Sequence, residues 1–148
     1  MQIFQKSFEE LSNRELYQLL KLRSEVFVVE QAAIYQDIDD IDYHATHFFI
    51  KEDDVIVSYI RTIPFGIKFS DAASLGRVVS YPFVRNKGYS KALIKAGINH
   101  LYKTESLIHI EGQSYLRRFY ESFGFEVISD IYLVDGIDHY KMALRKSI

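Results

Sequence analysis

Ala73-Ser74-Leu75-Gly76-Arg77-Val78-Val79-Ser80-Tyr81-Pro82-Phe83-Val84-Arg85-Asn86-Lys87-Gly88-Tyr89-Ser90 decides the fold. Its first half, 73–81, is apolar and β-branched and predicts a strand. From Ser90 to Lys103 the period changes, and Leu93, Ala96, Gly97 and Leu101 fall on one side of a helix. Strand and helix are joined through Arg85-x-x-Gly88-x-Ser90. Unpaired N–H groups at a helix start, with the positive end of its dipole, favour an anion. Gly88 permits unusual dihedrals and lets a ligand approach the backbone. Arg85, Lys87 and Lys91 add positive charge, so a pyrophosphate suits this turn. The same residues also fit a plain strand–turn–helix connection with a solvated basic surface. The Gly-Lys-Ser/Thr ending of a P-loop and the triple glycine of a dinucleotide fold are both missing.

Upstream, residues 2–8 alternate loosely and predict a first strand. Ser12 and Glu15 have capping-box spacing, and Leu16, Leu19, Leu20, Arg23 (by its stem), Val26 and Phe27 keep helical spacing, so a helix is expected over 12–27. Residues 30–46, full of acids and rings, read as irregular or short-helical. His47–Lys51 and Val55–Pro64 form an expected hairpin across Glu52-Asp53-Asp54. Downstream come a short strand over 107–112 and a helix over 114–123. Leu116, Phe119, Tyr120 and Phe123 line that helix, and Gly124 caps it. Strands over 125–133 and 139–145 flank the turn signal Asp135-Gly136. The fold class is α/β in the mixed, α+β sense: one sheet with helices on its faces. The two helical crossovers demand some parallel pairing.

A length of 148 residues suits one domain spanning 1–148. A chain of this size buries roughly 68–70% of the surface it exposes unfolded, so it needs no staple. There are no cysteines, which excludes a disulfide framework, a cysteine-ligated zinc and a thiol nucleophile. That composition suits a reducing cytoplasm. A net charge of −2, with both signs mixed, argues against nucleic-acid binding. No apolar run approaches the roughly 20 residues of a membrane span. Met1 to Lys6 lacks the pattern of a signal peptide. The expected protein is cytoplasmic, with no membrane partner.

The strand–Arg85-x-x-Gly88-x-Ser90–helix unit is followed by Phe119-Tyr120-Glu121-Ser122-Phe123-Gly124-Phe125. Together they resemble the GNAT N-acetyltransferase superfamily, and more narrowly its ElaA-like members. The resemblance runs from about 12 to 144 and includes Leu16 to Gln31, Tyr35-Gln36-Asp37-Ile38-Asp39, Gly76-Arg77-Val78-Val79 and Asp135 to His139. It implies a mostly antiparallel twisted sheet in which a central parallel pair of strands splays apart to admit acetyl-CoA. Val78, Val79 and Ser80 would then offer backbone groups to the pantetheine arm. Arg85, Asn86, Lys87, Gly88, Tyr89, Ser90 and Lys91 would hold the pyrophosphate, and Gln113 would touch the arm. Ser90 departs from the usual Gly or Ala.

Tyr120 matches the family's general acid, which protonates the departing CoA sulfur. From periodicity alone it is also an ordinary core tyrosine. A backbone N–H near Val78 or Val79 is the natural oxyanion donor. Three residues compete as the base: Glu111, His47 and Glu30. Their alternatives are an ion pair of Glu111 with Arg77 or Arg117, a satisfied strand histidine, and a solvated charge. The acceptor would enter over 23–47, contacting Arg23, Phe27, Glu30 and Tyr35. There Glu30, Asp37, Asp39 and Asp42 suit a cationic amine, or form a solvated acidic loop. Ala33-Ile34 and Asp40 depart from the Cys-Pro and Gly common among ElaA relatives. His44 and His47 lie near aspartates, but without tight spacing no metal is expected.

The expected function is transfer of an acetyl group to a small-molecule or protein amine. A non-catalytic acyl-CoA sensor, or a transferase of longer acyl chains, stays open beside it, as does a homodimer.

Overall fold

The computed structural model describes residues 1–147. The chain begins with strand β1 (Phe4–Ser7) and helix α1 (Asn13–Arg23). Ser12 caps α1: its Oγ accepts from the Glu15 N–H at 3.0 Å, and the Glu15 carboxylate accepts from the Ser12 N–H at 2.9 Å. Leu19 and Leu22 are fully buried against Phe49, Ile56 and Tyr59.

The expected helix over 12–27 is interrupted after Arg23. The chain widens into a π-helical turn, Ser24–Glu30, where the Gln31 N–H reaches the Val26 carbonyl five residues back. Such widened turns gather at functional sites. This one carries Phe27, Glu30 and Gln31 to the edge of a cleft.

Strands β2 (Thr46–Glu52) and β3 (Val55–Ile63) form the expected hairpin. Its two-residue turn puts Asp53 and Asp54 at φ 51° and 61°, the hand that matches strand twist. β4 (Ala73–Ser80) pairs antiparallel with β3 and carries one extra residue opposite Tyr59–Arg61, with Arg77 at φ 50°. This is a β-bulge, which bends its strand.

Helix α2 (Tyr89–Leu101) crosses over to β5 (Leu107–Gln113). It packs so closely that a Cβ on Gly97 would lie 2.8 Å from Ile60 Cδ1. β4 and β5 are parallel but pair only at Ala73–Ile108 and Ser74–His109. Beyond that point they part.

Downstream, the expected helix over 114–123 is a 3-10 turn, Ser114–Leu116, followed by a short α3 (Arg117–Glu121). The expected strand over 125–133 is also broken. β6 (Glu126–Val127) and β7 (Tyr132–Val134) both pair with β8 (Ile137–Arg145), but the register slips by two residues between Val127–Met142 and Tyr132–His139. Ser129 fills the slip, its Oγ accepting the Lys141 N–H at 2.9 Å.

The sheet runs β1-β2-β3-β4-β5-β8-β6, with β7 on β8. Its one direct parallel pair among the described residues is β4–β5. One core lies under α2 and α3, around Phe48, Ile60, Leu93, Ile110 and Met142; a second lies under α1. Among the described residues no helix is long and apolar enough to cross a membrane.

Candidate active site

The parting of β4 from β5 opens a cleft of about 570 Å³. One wall is β4 from Leu75 to Ser80, and the other is β5 from Ile110 to Gln113. The turn into α2 closes one end. There the first helical bond is Ala92 N–H to the Gly88 carbonyl, at 3.1 Å. The amides of Asn86, Gly88, Tyr89, Ser90 and Lys91 find no acceptor among the described residues. Gly88 makes this possible by adopting φ 75°, a left-handed conformation that side chains resist. Ser90 does not cap α2, since its Oγ meets the Ser80 Oγ at 2.9 Å and ties the helix start to the end of β4. Five outward N–H groups at the start of a long helix suit a diphosphate.

The basic side chains of this turn are largely spoken for. Lys87 Nζ lies 2.9 Å from a Glu52 oxygen, and Tyr89 donates to the same carboxylate, so both point away from the cleft. Arg85 makes a two-pronged pair with Glu30, and its Nε donates to the Ser80 carbonyl. Hydrogen bonding to Arg85 holds the Glu30 carboxyl below its ordinary pKa. Next to this pair, the Gln31 and Gln113 amides exchange bonds of 3.3 and 3.4 Å. The π-helical turn thus spans the cleft mouth at two points.

Tyr120 stands on α3 over Gly112, where a Cβ would come 3.0 Å from its ring. Its side chain is 7% exposed, and burial pushes the phenol well above its usual pKa. The hydroxyl has no protein partner and still reaches solvent at the cleft wall. The core packing that makes Tyr120 look structural therefore also holds its hydroxyl at the gap.

The acetyltransferase (GNAT) domain family matches residues 8–146. The chain belongs to the GNAT acetyltransferase family. It is 33% identical to ElaA of Escherichia coli over 138 residues, covering 90% of each chain. A UPF0039 protein of Schizosaccharomyces pombe is 34% identical over 144 residues, covering 95% of this chain and 94% of that one. The ElaA crystal structure superposes with a TM-score of 0.88 at 31% identity, covering 99% of this chain and 100% of that one. An acyl-CoA N-acyltransferase from Pseudomonas aeruginosa gives 0.88 at 29% identity, covering 96% and 97%. The family and the fold imply acyl-CoA use.

Of the residues expected in a GNAT site, Val78, Val79, Ser80, Arg85, Ser90, Gln113, Phe27, Glu30, Tyr35, Glu111 and Tyr120 line the cleft. Asn86, Lys87, Gly88, Tyr89 and Lys91 belong to the turn at its end, and their side chains are not part of its lining. Arg23 and His47 lie away from it altogether. Arg23 is fully buried, with Nε 2.8 Å from Asp37 and Nη1 2.8 Å from Asp42. It cannot contact an acceptor. His47 is also fully buried, with Nδ1 2.6 Å from the Tyr59 hydroxyl and Nε2 3.0 Å from the Asp42 carbonyl. Both ring nitrogens are used, so it is no base.

The acidic loop is neither solvated nor free for a cation. Asp37, Asp39 and Asp42 neutralise Arg23, Arg61 and Arg77, an exchange that locks the loop onto the sheet. Buried carboxylates need such partners. Glu111 does form an ion pair, but with Lys68 at 2.9 Å rather than an arginine, and it accepts from the Tyr132 hydroxyl at 2.9 Å. Burial raises its pKa, but these partners outweigh burial and leave it below the ordinary value.

Sequence reading missed Gln31, Tyr115 and the β7–β8 hairpin, whose Asp135, Ile137 and His139 complete the GNAT cleft. The period-two alternation of the last strand could have found His139. Its register partner is Gln113, and the two share a face with Glu111.

Proposed function

We propose that this protein is a cytoplasmic N-acetyltransferase that moves an acetyl group from acetyl-CoA to a primary amine by direct attack in a ternary complex. The observation that carries the reading is the cleft: two parallel strands that pair at one end only, with free amides at one side and the Tyr120 hydroxyl at the other. Bound acetyl-CoA would supply an acetyl thioester, an electrophilic carbonyl whose sulfur is the leaving group.

The chain's own residues divide the remaining work. Backbone groups of Val78, Val79 and Ser80 orient the arm as an added strand would. The free amides of Asn86, Gly88, Tyr89, Ser90 and Lys91 hold the diphosphate, and Arg85 joins them when it releases Glu30. A backbone N–H of the bulged β4, at Val78 or Val79, faces developing negative charge. Tyr120 holds a proton at its phenol oxygen for the departing sulfur, and burial keeps that proton in place at neutral pH. Phe27 and Tyr35 shape the acceptor side, which Glu30 borders through its pair with Arg85.

The test is thiol release from acetyl-CoA across a panel of polyamines, amino acids, small amines and peptides. Release with at least one amine supports the transferase. Thermal stabilisation by acetyl-CoA with no release from any amine would identify a binding module instead. Faster release with longer acyl donors would identify a transferase of longer chains.

A further inference from the structure

Glu30, at the cleft mouth, is held by Arg85; on the β5 and β8 walls two groups could take a proton from an attacking amine, and their surroundings separate them. Glu111 is engaged twice, by the Lys68 ammonium and the Tyr132 hydroxyl, and these partners lower its basicity. His139 is engaged once. Its Nδ1 lies 2.7 Å from the Ile137 carbonyl, an acceptor with no proton to give, so Nδ1 carries the ring proton. In a neutral imidazole the other nitrogen then holds a lone pair. The ring is only 9% exposed, yet Nε2 has no protein partner and is not sealed from solvent; it opens at the cleft wall.

The strand pattern sets His139 opposite the acid. Ile110, Gly112 and Met142 face the core that holds Tyr120. Glu111, Gln113 and His139 alternate with them and take the other face. Proton donor and proton acceptor therefore stand on opposite sides of one gap.

From this geometry, and resting on the transferase reading above, we propose that Nε2 of His139 is the general base that deprotonates the acceptor amine, directly or through one water. An ammonium nitrogen gives its proton to Nε2, the N–H electron pair stays on nitrogen as the attacking pair, and the imidazolium later discharges to solvent. The charged groups around it are Glu111 on β5, with Lys68 and Tyr132 on that carboxylate, Lys141 on the same face of β8, Asp135 in the hairpin turn, and Arg77 across the gap tied to Asp37 and Asp39.

The test joins a readout of the ring to one of turnover. Nitrogen-15 NMR of the histidine-labelled full chain should find His139 protonated on Nδ1 at pH 8; protonation on Nε2 alone overturns the proposal. With an amine that the wild type acetylates, His139→Gln should lower kcat/KM about 10²–10³-fold at pH 7. The deficit should shrink toward pH 10, where the amine deprotonates itself. Acid-side loss of rate should then follow the amine alone. Should His139→Gln fold poorly by circular dichroism, His139→Asn keeps a donor for the Ile137 carbonyl and must show the same loss. An active wild type with an equally active, folded variant overturns the role of His139. A wild type that binds acetyl-CoA but acetylates no amine overturns the transferase reading first.

Discussion

The Glu30 carboxylate and the Arg85 guanidinium meet across the cleft mouth in two bonds of 2.6 and 2.7 Å. Both side chains are about 40% exposed, at 42% and 40%. An exposed pair of this kind is weak enough for a ligand to displace. It joins the π-helical turn to the end of β4, at the place where a diphosphate would bring its own negative charge. Glu30 therefore competes with the phosphates for one guanidinium.

Removing that competitor should tighten binding. Glu30→Gln is expected to raise affinity for CoA about two- to fivefold, the scale of an exposed ion pair. Arg85→Ala should lower it, with a shallower dependence on salt. Isothermal titration at two ionic strengths reads both. Weaker binding by Glu30→Gln would mean that the carboxylate holds the site open rather than blocking it.

Tyr120→Phe keeps the ring that packs over Gly112 and deletes only the hydroxyl at the gap. Turnover should fall about 10²–10⁴-fold while the Kd for CoA and the melting temperature hardly move. Steady-state rates with any accepted amine check this. Unchanged turnover would return Tyr120 to a purely structural role.

Asp42 Oδ1 accepts from both buried arginines, Arg23 and Arg61, at 2.8 Å each. Asp42→Asn would leave two cations competing for less charge inside the protein. Breaking a buried pair costs about 3–5 kcal/mol, which a shift in urea midpoint would reveal. A loss below about 1 kcal/mol would show that Asp37 and Asp39 suffice alone.

Glu15 closes the α1 capping box and also receives Lys6 and Lys51. Burial raises its pKa, but the Ser12 N–H and the two lysines prevail and bring it from 4.5 to about 2. Its stabilisation is therefore full above about pH 4.5 and disappears as pH falls toward 2. Glu15→Gln should be less stable than wild type by about 1–2 kcal/mol at pH 7, with the gap closing near pH 2. Denaturant melts across that range test the sign.

Much of this was legible in the residues. The capping box at Ser12, the turn at Asp53-Asp54, the strand–Gly88–helix junction and the hairpin at Asp135-Gly136 are local, set by spacing and dihedral preference within a few positions. That is why the strand and helix order, and the family resemblance resting on it, could be read along the chain. Where partners come from far away, reading failed. Arg23 looked like an acceptor contact because it lies in the 23–47 segment, and His47 looked like a base because its type suits proton transfer. The fold instead surrounds Arg23 with Asp37 and Asp42, and seals His47 between Tyr59 and Asp42. Lys68 claims Glu111 from a loop 43 positions away. Period and capping are short-range and write themselves into sequence. Charge pairing, burial and the side of a sheet on which a histidine stands depend on which strands become neighbours, and only the folded sheet decides that.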